Sequence, residues 1–259
     1  MSVETVLVTG ASSGIGWELA KCFAADGSRM ILVARKRQAL EALAEELRRA
    51  QKTHSEVLPA DLSEPGAPAR ILGHLEAHGV RVDVLVNNAG FGARGGFAQL
   101  PLQRQIEMVQ VNVTALTHLT GLFLPGMIAR RRGGVLNVAS TAAFQPGPGM
   151  AVYYATKAYV LSFSEALAEE LVGTGVTVTA SCPGPTATNF GTAANMRTLG
   201  LVKKVSMSAE SVARISHRAF RRGSVVAITG LRNQVPAFLV RLFPRAAVRK
   251  IAKRLNNVR

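Results

Sequence analysis

The chain predicts an open, doubly wound α/β sheet of seven parallel strands with helices on both faces. Three observations predict it. Short β-branched or apolar runs alternate with helical stretches along most of the 259 residues. Several of these runs are apolar at consecutive positions, as strands covered by helices on both faces are. A glycine-rich turn, "TGASSGIG" (9–16), separates the first run from the first helical stretch. With 48% apolar residues and glycine dispersed through the chain, one domain with a substantial core is expected.

The elements follow in order. "TVLVTG" (5–10) reads as the first strand and "GIGWELAKCFAADG" (14–27) as an amphipathic helix that ends in glycine. "RMILVAR" (29–35) is the second strand, followed by the charged helix "ALEALAEELRRAQ" (39–51). "SEVLPADLS" holds a third strand with its loop, "VDVLVNNAG" (82–90) a fourth and "GGVLNVAS" (133–140) a fifth. "VTVTASCPG" (176–184) and "SVVAITG" (224–230) complete seven, with helical segments filling the gaps. Ligands of such a sheet bind beyond the carboxyl ends of the strands. No repeat or long Pro/Gly/Ser linker divides the chain, so residues 1–231 form the sheet domain and 232–259 a helical extension of it.

Bulk properties narrow the class. The start of the chain has no basic, apolar leader pattern, and no run of roughly 18 uninterrupted apolar residues appears. The two cysteines, Cys22 and Cys182, are far apart and read as single thiols in a reducing compartment, so a cytoplasmic protein is expected. No metal site is expected. The net charge of +15 is lopsided: residues 171–259 carry 15 basic groups and one acid, Glu210, while the first 170 carry 16 basic and 15 acidic. Excess charge so placed is a local surface property. The basic end lacks a nucleic-acid reading motif, and its aromatics, Phe238 and Phe243, fall on an apolar stripe, so nucleic acid is not an expected partner.

The first turn has the makings of a pyrophosphate seat. Gly10, Gly14 and Gly16 allow a tight turn and close backbone approach, and the following helix aims its free N–H groups at the same space. The spacing is GxxxGxG, and the glycines could equally serve a strand-to-helix turn alone. The second strand ends at Arg35, with Lys36 and Arg37 next, where a free ribose 2′-hydroxyl would call for an acid. A cation there suits a 2′-phosphate, so NADP(H) is the expected cofactor, although a solvated charge run at a helix start looks the same. Asp61, after the third strand, has the chemistry to accept a bond from an adenine amino group. Asn87, Ala89 and Gly90 close the fourth strand, and the small residues among them leave room for a ribose.

All three tyrosines fall within "AVYYATKAYVLSFSEAL" (151–167). Tyr153 and Lys157 are four residues apart on a predicted helix, about 40° from one face; Tyr154 is three from the lysine, and Tyr159 points elsewhere. A nearby ammonium and a positive nicotinamide ring would lower a phenol's pKa from about 10 and fit it for proton transfer. Helix geometry does not separate Tyr153 from Tyr154.

"TGASSGIG", "NNAG", Ser140, Tyr153-x-x-x-Lys157 and "PGPTAT" follow one another as in the short-chain dehydrogenase/reductase family, which residues 3–231 resemble. The resemblance implies a Rossmann-type fold and a tyrosine-dependent hydride-transfer enzyme. It places the acid at Tyr153, since four residues beyond Tyr154 stands Ala158, and makes Tyr154 a pocket wall. It places the catalytic serine at Ser140 and the catalytic asparagine at Asn112 in "VQVNVTA". Ser140 would hold the substrate oxygen; a strand-end hydroxyl that caps a loop is the other reading, with Thr141 as neighbour. The family's cofactor contacts map onto Gly10, Ser12, Ser13, Gly14, Ile15, Gly16, Arg35, Asp61, Leu62, Asn87, Ala89, Gly90, Tyr153, Lys157, Pro183, Gly184, Thr186 and Thr188. Thr188 to Met207 would be a substrate lid bearing Asn195, Met196, Leu199 and Leu201.

The implied reaction is reduction of a ketone or aldehyde, reversible to a secondary or primary alcohol, by a homo-oligomer. A 3-oxoacyl thioester is the alternative substrate, and a nucleotide-binding membrane-surface or scaffold protein without turnover the alternative class. The chain departs from the family in its end, "LRNQVPAFLVRLFPRAAVRKIAKRLNNVR". Pro244 can open a helix; Phe238, Leu239, Leu242 and Phe243 make one apolar stripe, and Val248, Ile251 and Leu255 another. Two readings fit this basic amphipathic end: packing on the sheet or a partner subunit, or peripheral contact with an anionic membrane. The tail leaves a dimer as open as the family's tetramer.

Overall fold

In the computed structural model of the chain, residues 3–188 and 206–256 are described, apart from the side chain of Leu255. Asn195, Met196, Leu199 and Leu201 lie outside the described residues. Seven parallel strands form one sheet: β1 Thr5–Thr9, β2 Arg29–Ala34, β3 Ser55–Pro59, β4 Val84–Asn87, β5 Gly133–Val138, β6 Val176–Cys182 and, as the last, β9 Val226–Ile228. Their order is β3-β2-β1-β4-β5-β6-β9, so the chain reverses direction across the sheet between β1 and β4. All seven strands expected from the sequence are present. An additional two-stranded parallel ladder, β7 Thr186–Ala187 with β8 Met207–Ser208, was not expected. Strands of two residues carry no periodicity to read.

The strands divide two apolar layers by their alternation. Val6 and Val8 of β1 face one layer with Leu19 and Phe23 of α1 (Gly14–Ala25), Leu40, Leu43 and Leu47 of α2 (Arg37–Gln51) and Phe220 of α7 (Ala209–Arg221). Leu7 faces the other with Ile71 and Leu75 of α3 (Ala67–Ala77), Leu119, Phe123 and Met127 of α5 (Leu116–Ala129) and Leu167 of α6 (Ala151–Glu170). Each fully buried side chain of this size contributes about 1.5–3 kcal/mol of transfer free energy. The continuous helix Leu102–Ala129 is long and apolar enough by composition to cross a membrane. Ala115, Leu119, Phe123 and Met127 of it are part of the second core layer, while Leu102, Ile106, Val109 and Ile128 are exposed.

Inside that layer runs a polar chain that ties strands to helices. Asn87 Nδ2 donates to Thr120 Oγ1 (3.1 Å) and to Asn137 Oδ1 (2.9 Å), and Asn137 Nδ2 donates to Ser164 Oγ (2.9 Å). Thr120 and Ser164 donate in turn to the carbonyls of Leu116 and Val160. These bonds fix β4 and β5 against α5 and α6, and all four side chains are buried. Replacing the central link, Asn137→Ala, strips partners from both neighbours. Urea unfolding is expected to show a loss of about 2 kcal/mol; a midpoint unchanged within error would show that the chain of bonds is not holding the layers together.

Candidate active site

The glycine turn between β1 and α1 is closed by two devices. Gly10 adopts φ 66°, open to glycine at little cost. A Cβ on Gly16 would overlap the Gly10 carbonyl and the side chain of Asn88. Asn88 holds the turn by donating Nδ2 to Thr9 O (2.9 Å) and Gly10 O (3.2 Å). The sequence reading passed over Asn88, although its position in "NNAG" is the signal. Its neighbour Asn87, expected at the cofactor, turns its side chain into the buried polar chain, which leaves only backbone for a ligand. Ser13 sits at the N-cap of α1 but makes no capping bond, so the first helical N–H groups have no side-chain acceptor from it. Ser12 and Gly14 are half-buried at the same turn, whereas Ile15 packs into the first core layer. A Cβ on Gly14 would stand 3.1 Å from the Thr188 methyl, which puts Thr188 over the turn.

At the next strand ends, Arg35 is exposed and its Nη1 lies 4.0 Å from Asp61 Oδ2. Asp61 accepts two bonds from Ser63, from its N–H (2.9 Å) and its hydroxyl (2.8 Å). Burial pushes the Asp61 carboxyl up, but the two Ser63 bonds and Arg35 outweigh it and hold the group below its ordinary value. The expected adenine acceptor is thus already engaged at one oxygen, because the loop after β3 turns back on its own backbone. Leu62 is buried in the core, with Ala89 packed against the same layer. Pro183 accepts from Thr141 N (2.9 Å), and Gly184 O accepts from the Thr186 hydroxyl (2.9 Å), which fixes the turn leading to Thr188.

Four side chains meet beyond the carboxyl ends of β4 and β5. Tyr153 and Ser140 are hydrogen-bonded. Ser140 Oγ also accepts from Ala142 N (3.1 Å) and caps the short 3₁₀ turn Thr141–Phe144. The capping reading of Ser140 is borne out, and the same hydroxyl also faces the phenol. Lys157 lies 5.9 Å from the centre of the Tyr153 ring and donates Nζ to Val138 O (2.8 Å). Asn112 sits in a π-helical turn, Gln110–Ala115, between α4 (Leu102–Val109) and α5. Such turns interrupt α-helices, frequently at functional sites. Its side chain accepts from Phe91 N and donates to Phe91 O (both 3.0 Å) and to Thr156 Oγ1 (3.1 Å). A Cβ on Gly90 would lie 3.0 Å from Asn112 Oδ1 and 3.4 Å from Lys157 Nζ, so the absence of a side chain there lets both close on the Gly90 backbone. Thr156, which donates to Tyr153 O (2.7 Å), was missed; a hydroxyl beside the lysine on a helix face was its signal.

In the free protein, burial governs the titration of both groups. Burial drives the Tyr153 phenol up to about 12, and the Ser140 bond only partly opposes it. Burial drives the Lys157 ammonium down to about 8. Without a docked dinucleotide the lysine does not make this phenol acidic, because both groups have lost their water. Tyr154 flanks Tyr153 edge-on at 6.1 Å and joins Phe91, Ala93, Met108, Met150 and Val152 in an apolar cluster around it. Tyr159 bonds Thr117 and stacks on Phe163, away from the site.

The Lys157 shift carries a sign. The unfolded chain, with an ordinary lysine near 10.5, holds the proton more tightly than the folded one, so ionisation opposes folding at neutral pH. That opposition fades as pH climbs from about 8 towards the ordinary value. Between about pH 7 and about pH 10, the wild type is expected to gain roughly 2 kcal/mol on Lys157→Met in urea unfolding. Parallel pH profiles for the two chains would contradict the shift.

Residues 4–198 match the family model described as short chain dehydrogenase. A short chain dehydrogenase of Pseudocercospora fijiensis is 38% identical over 190 residues, or 73% of this chain. The match spans 61% of that relative's length, less than two thirds. A short-chain dehydrogenase from Sphingobium yanoikuyae, solved in complex with NADPH, is 34% identical with a TM-score of 0.82 over 94% of this chain and 98% of that one. The bulky-bulky ketone specific alcohol dehydrogenase from Comamonas testosteroni is 31% identical, with a TM-score of 0.79 over 95% and 97% of the two chains. The glycine turn, the strand order and the Tyr153–Lys157 helix stand in a chain that belongs to the short-chain dehydrogenase/reductase family.

Proposed function

We propose that the chain is an NADP(H)-dependent reductase of bulky apolar ketones or aldehydes, working reversibly on the corresponding alcohols as a cytoplasmic homo-oligomer. The observation that carries the reading is the meeting of Ser140, Tyr153 and Lys157 at the strand ends, beside a cradle that added side chains would fill. The dinucleotide suits that cradle: Gly10, Gly14 and Gly16 leave backbone room, and α1 offers uncapped N–H groups to a pyrophosphate. Arg35 would hold a 2′-phosphate, drawn from its loose 4.0 Å pairing with Asp61, and no acid stands at the end of β2 to accept a free 2′-hydroxyl. When bound, the nicotinamide supplies a hydride to the carbonyl carbon.

The protein's own residues do the rest. Ser140 Oγ holds the carbonyl oxygen as charge grows on it. Tyr153, kept protonated by burial, donates its proton to that oxygen. Lys157 steadies the phenolate left behind, and solvent at the Asn112 turn returns the proton. The apolar cluster of Phe91, Met108, Met150 and Tyr154 sets the substrate side, which favours a bulky ketone over a small polar one. The Comamonas relative's ketone specificity supports the same class.

The test is NADPH and NADH oxidation with a panel of ketones and aldehydes. Tyr153→Phe is expected to lower kcat at least about 100-fold with little change in NADPH affinity; retention of most of the rate would remove the assigned acid. Arg35→Ala is expected to raise the KM for NADPH about 10- to 100-fold and leave that for NADH nearly unchanged. Equal effects on both cofactors would refute the 2′-phosphate assignment.

A further inference from the structure

After β9 the chain continues in two helices, α8 (Leu231–Leu239) and α9 (Arg245–Leu255). They are fastened to the molecule on one side. Asn233 Nδ2 donates to Thr229 O, and the Arg241 guanidinium stands 5.8 Å from the centre of the Phe144 ring. Val248 and Ala252 are buried, Arg94 Nη2 donates to Asn256 O (2.5 Å), and Asn256 Nδ2 donates to Pro148 O (2.9 Å). The inward face of α9 is therefore Val248 with Ala252, and Ile251, expected in that stripe, is exposed. Leu255's side chain lies outside the described residues. The contacts at Arg94, Phe144 and Pro148 set the pair beside the loops that rim the Tyr153 site.

The outward side is unusual for a surface. Leu231, Val235, Phe238 and Leu242 recur at intervals of four, three and four residues, and with Phe243 they are between 54% and 78% exposed. On α9, which follows directly in the chain, Arg245, Arg249, Lys250, Lys253 and Arg254 are exposed. Residues 231–256 contain no acid, and none of these five cations has a carboxylate within ion-pair distance among the described residues. A second copy laid face to face on this patch would set cation against cation. A surface of anionic headgroups over acyl chains matches both components at once.

We propose that α8 and α9 dock the protein on an anionic lipid bilayer, with Phe238, Leu242 and Phe243 entering the interface and the α9 cations meeting the headgroups. The cleft rim then faces the membrane, where apolar carbonyl compounds concentrate. The docking does not rest on the reductase reading, since its readout is partition rather than turnover.

The experiment is co-sedimentation of the full chain with vesicles of phosphatidylcholine alone and of phosphatidylcholine mixed with phosphatidylglycerol. Two triple variants are compared, Phe238→Ser/Leu242→Ser/Phe243→Ser and Arg249→Gln/Lys250→Gln/Lys253→Gln, with circular dichroism and melting to confirm that each is folded. Binding to the anionic vesicles, weak binding to the zwitterionic ones, and a drop of at least about tenfold in both variants are expected. Equal partition into the two vesicle types, or no partition, overturns the proposal. Binding kept by the serine variant leaves charge alone and also overturns it. So does a solution dimer that the serine variant splits, which would assign the face to a second copy.

Discussion

The loss of water around Tyr153 and Lys157 governs the rest of this structure. A phenol and an ammonium placed in solvent would titrate near their ordinary values and do little chemistry together. Here both are enclosed, and enclosure disfavours whichever form is charged. It pushes the phenol up to about 12 and the lysine down to about 8, so two groups with similar ordinary values are driven apart. In that state Tyr153 is a firmly held proton and Lys157 a cation kept at some cost. A positive charge brought close would reverse the balance at the phenol. The resting site is therefore poised to respond to what docks beside it.

The fold supplies the enclosure and the alignment. β4 and β5 deliver the loops that carry Gly90 and Ser140 to one edge of the sheet, and α6 crosses that edge with Tyr153 and Lys157 one turn apart. The π-turn at Asn112 reaches across to Thr156 on the same helix, so three elements are bonded around one space. Beneath, the Asn87–Asn137–Ser164 chain prevents α6 from sliding on the strands. Such alignment within a fraction of an ångström is what proton transfer needs.

Much of this was legible in the residues. Consecutive apolar runs marked all seven strands because covered strands need no polar face. The i, i+4 spacing alone puts Tyr153 and Lys157 together on one helix, and the glycine turn declares itself by composition. What was not legible depended on three-dimensional context. Asn88 and Thr156 matter through partners far away in sequence, and the β7–β8 ladder is too short to leave a pattern. The upward shift of Tyr153 in the free protein was not legible, because a sequence lists the neighbouring lysine and says nothing of the lost solvent. At the far end, the apolar stripe was evident, but which side of α9 turns inward depended on the small Ala252 and the Asn256–Pro148 bond.

The most direct measurement is the titration of Tyr153 itself. With three tyrosines in the chain, ¹³C labelling at the ring carbon bearing the hydroxyl gives separable signals, assigned by Tyr153→Phe. In the free protein this phenol is expected to stay protonated well above about pH 10, the ordinary value for a phenol, and saturating NADP⁺ is expected to bring its ionisation down by at least about two pH units. A free-state value near that of an ordinary tyrosine, or one that NADP⁺ leaves in place, would contradict the account.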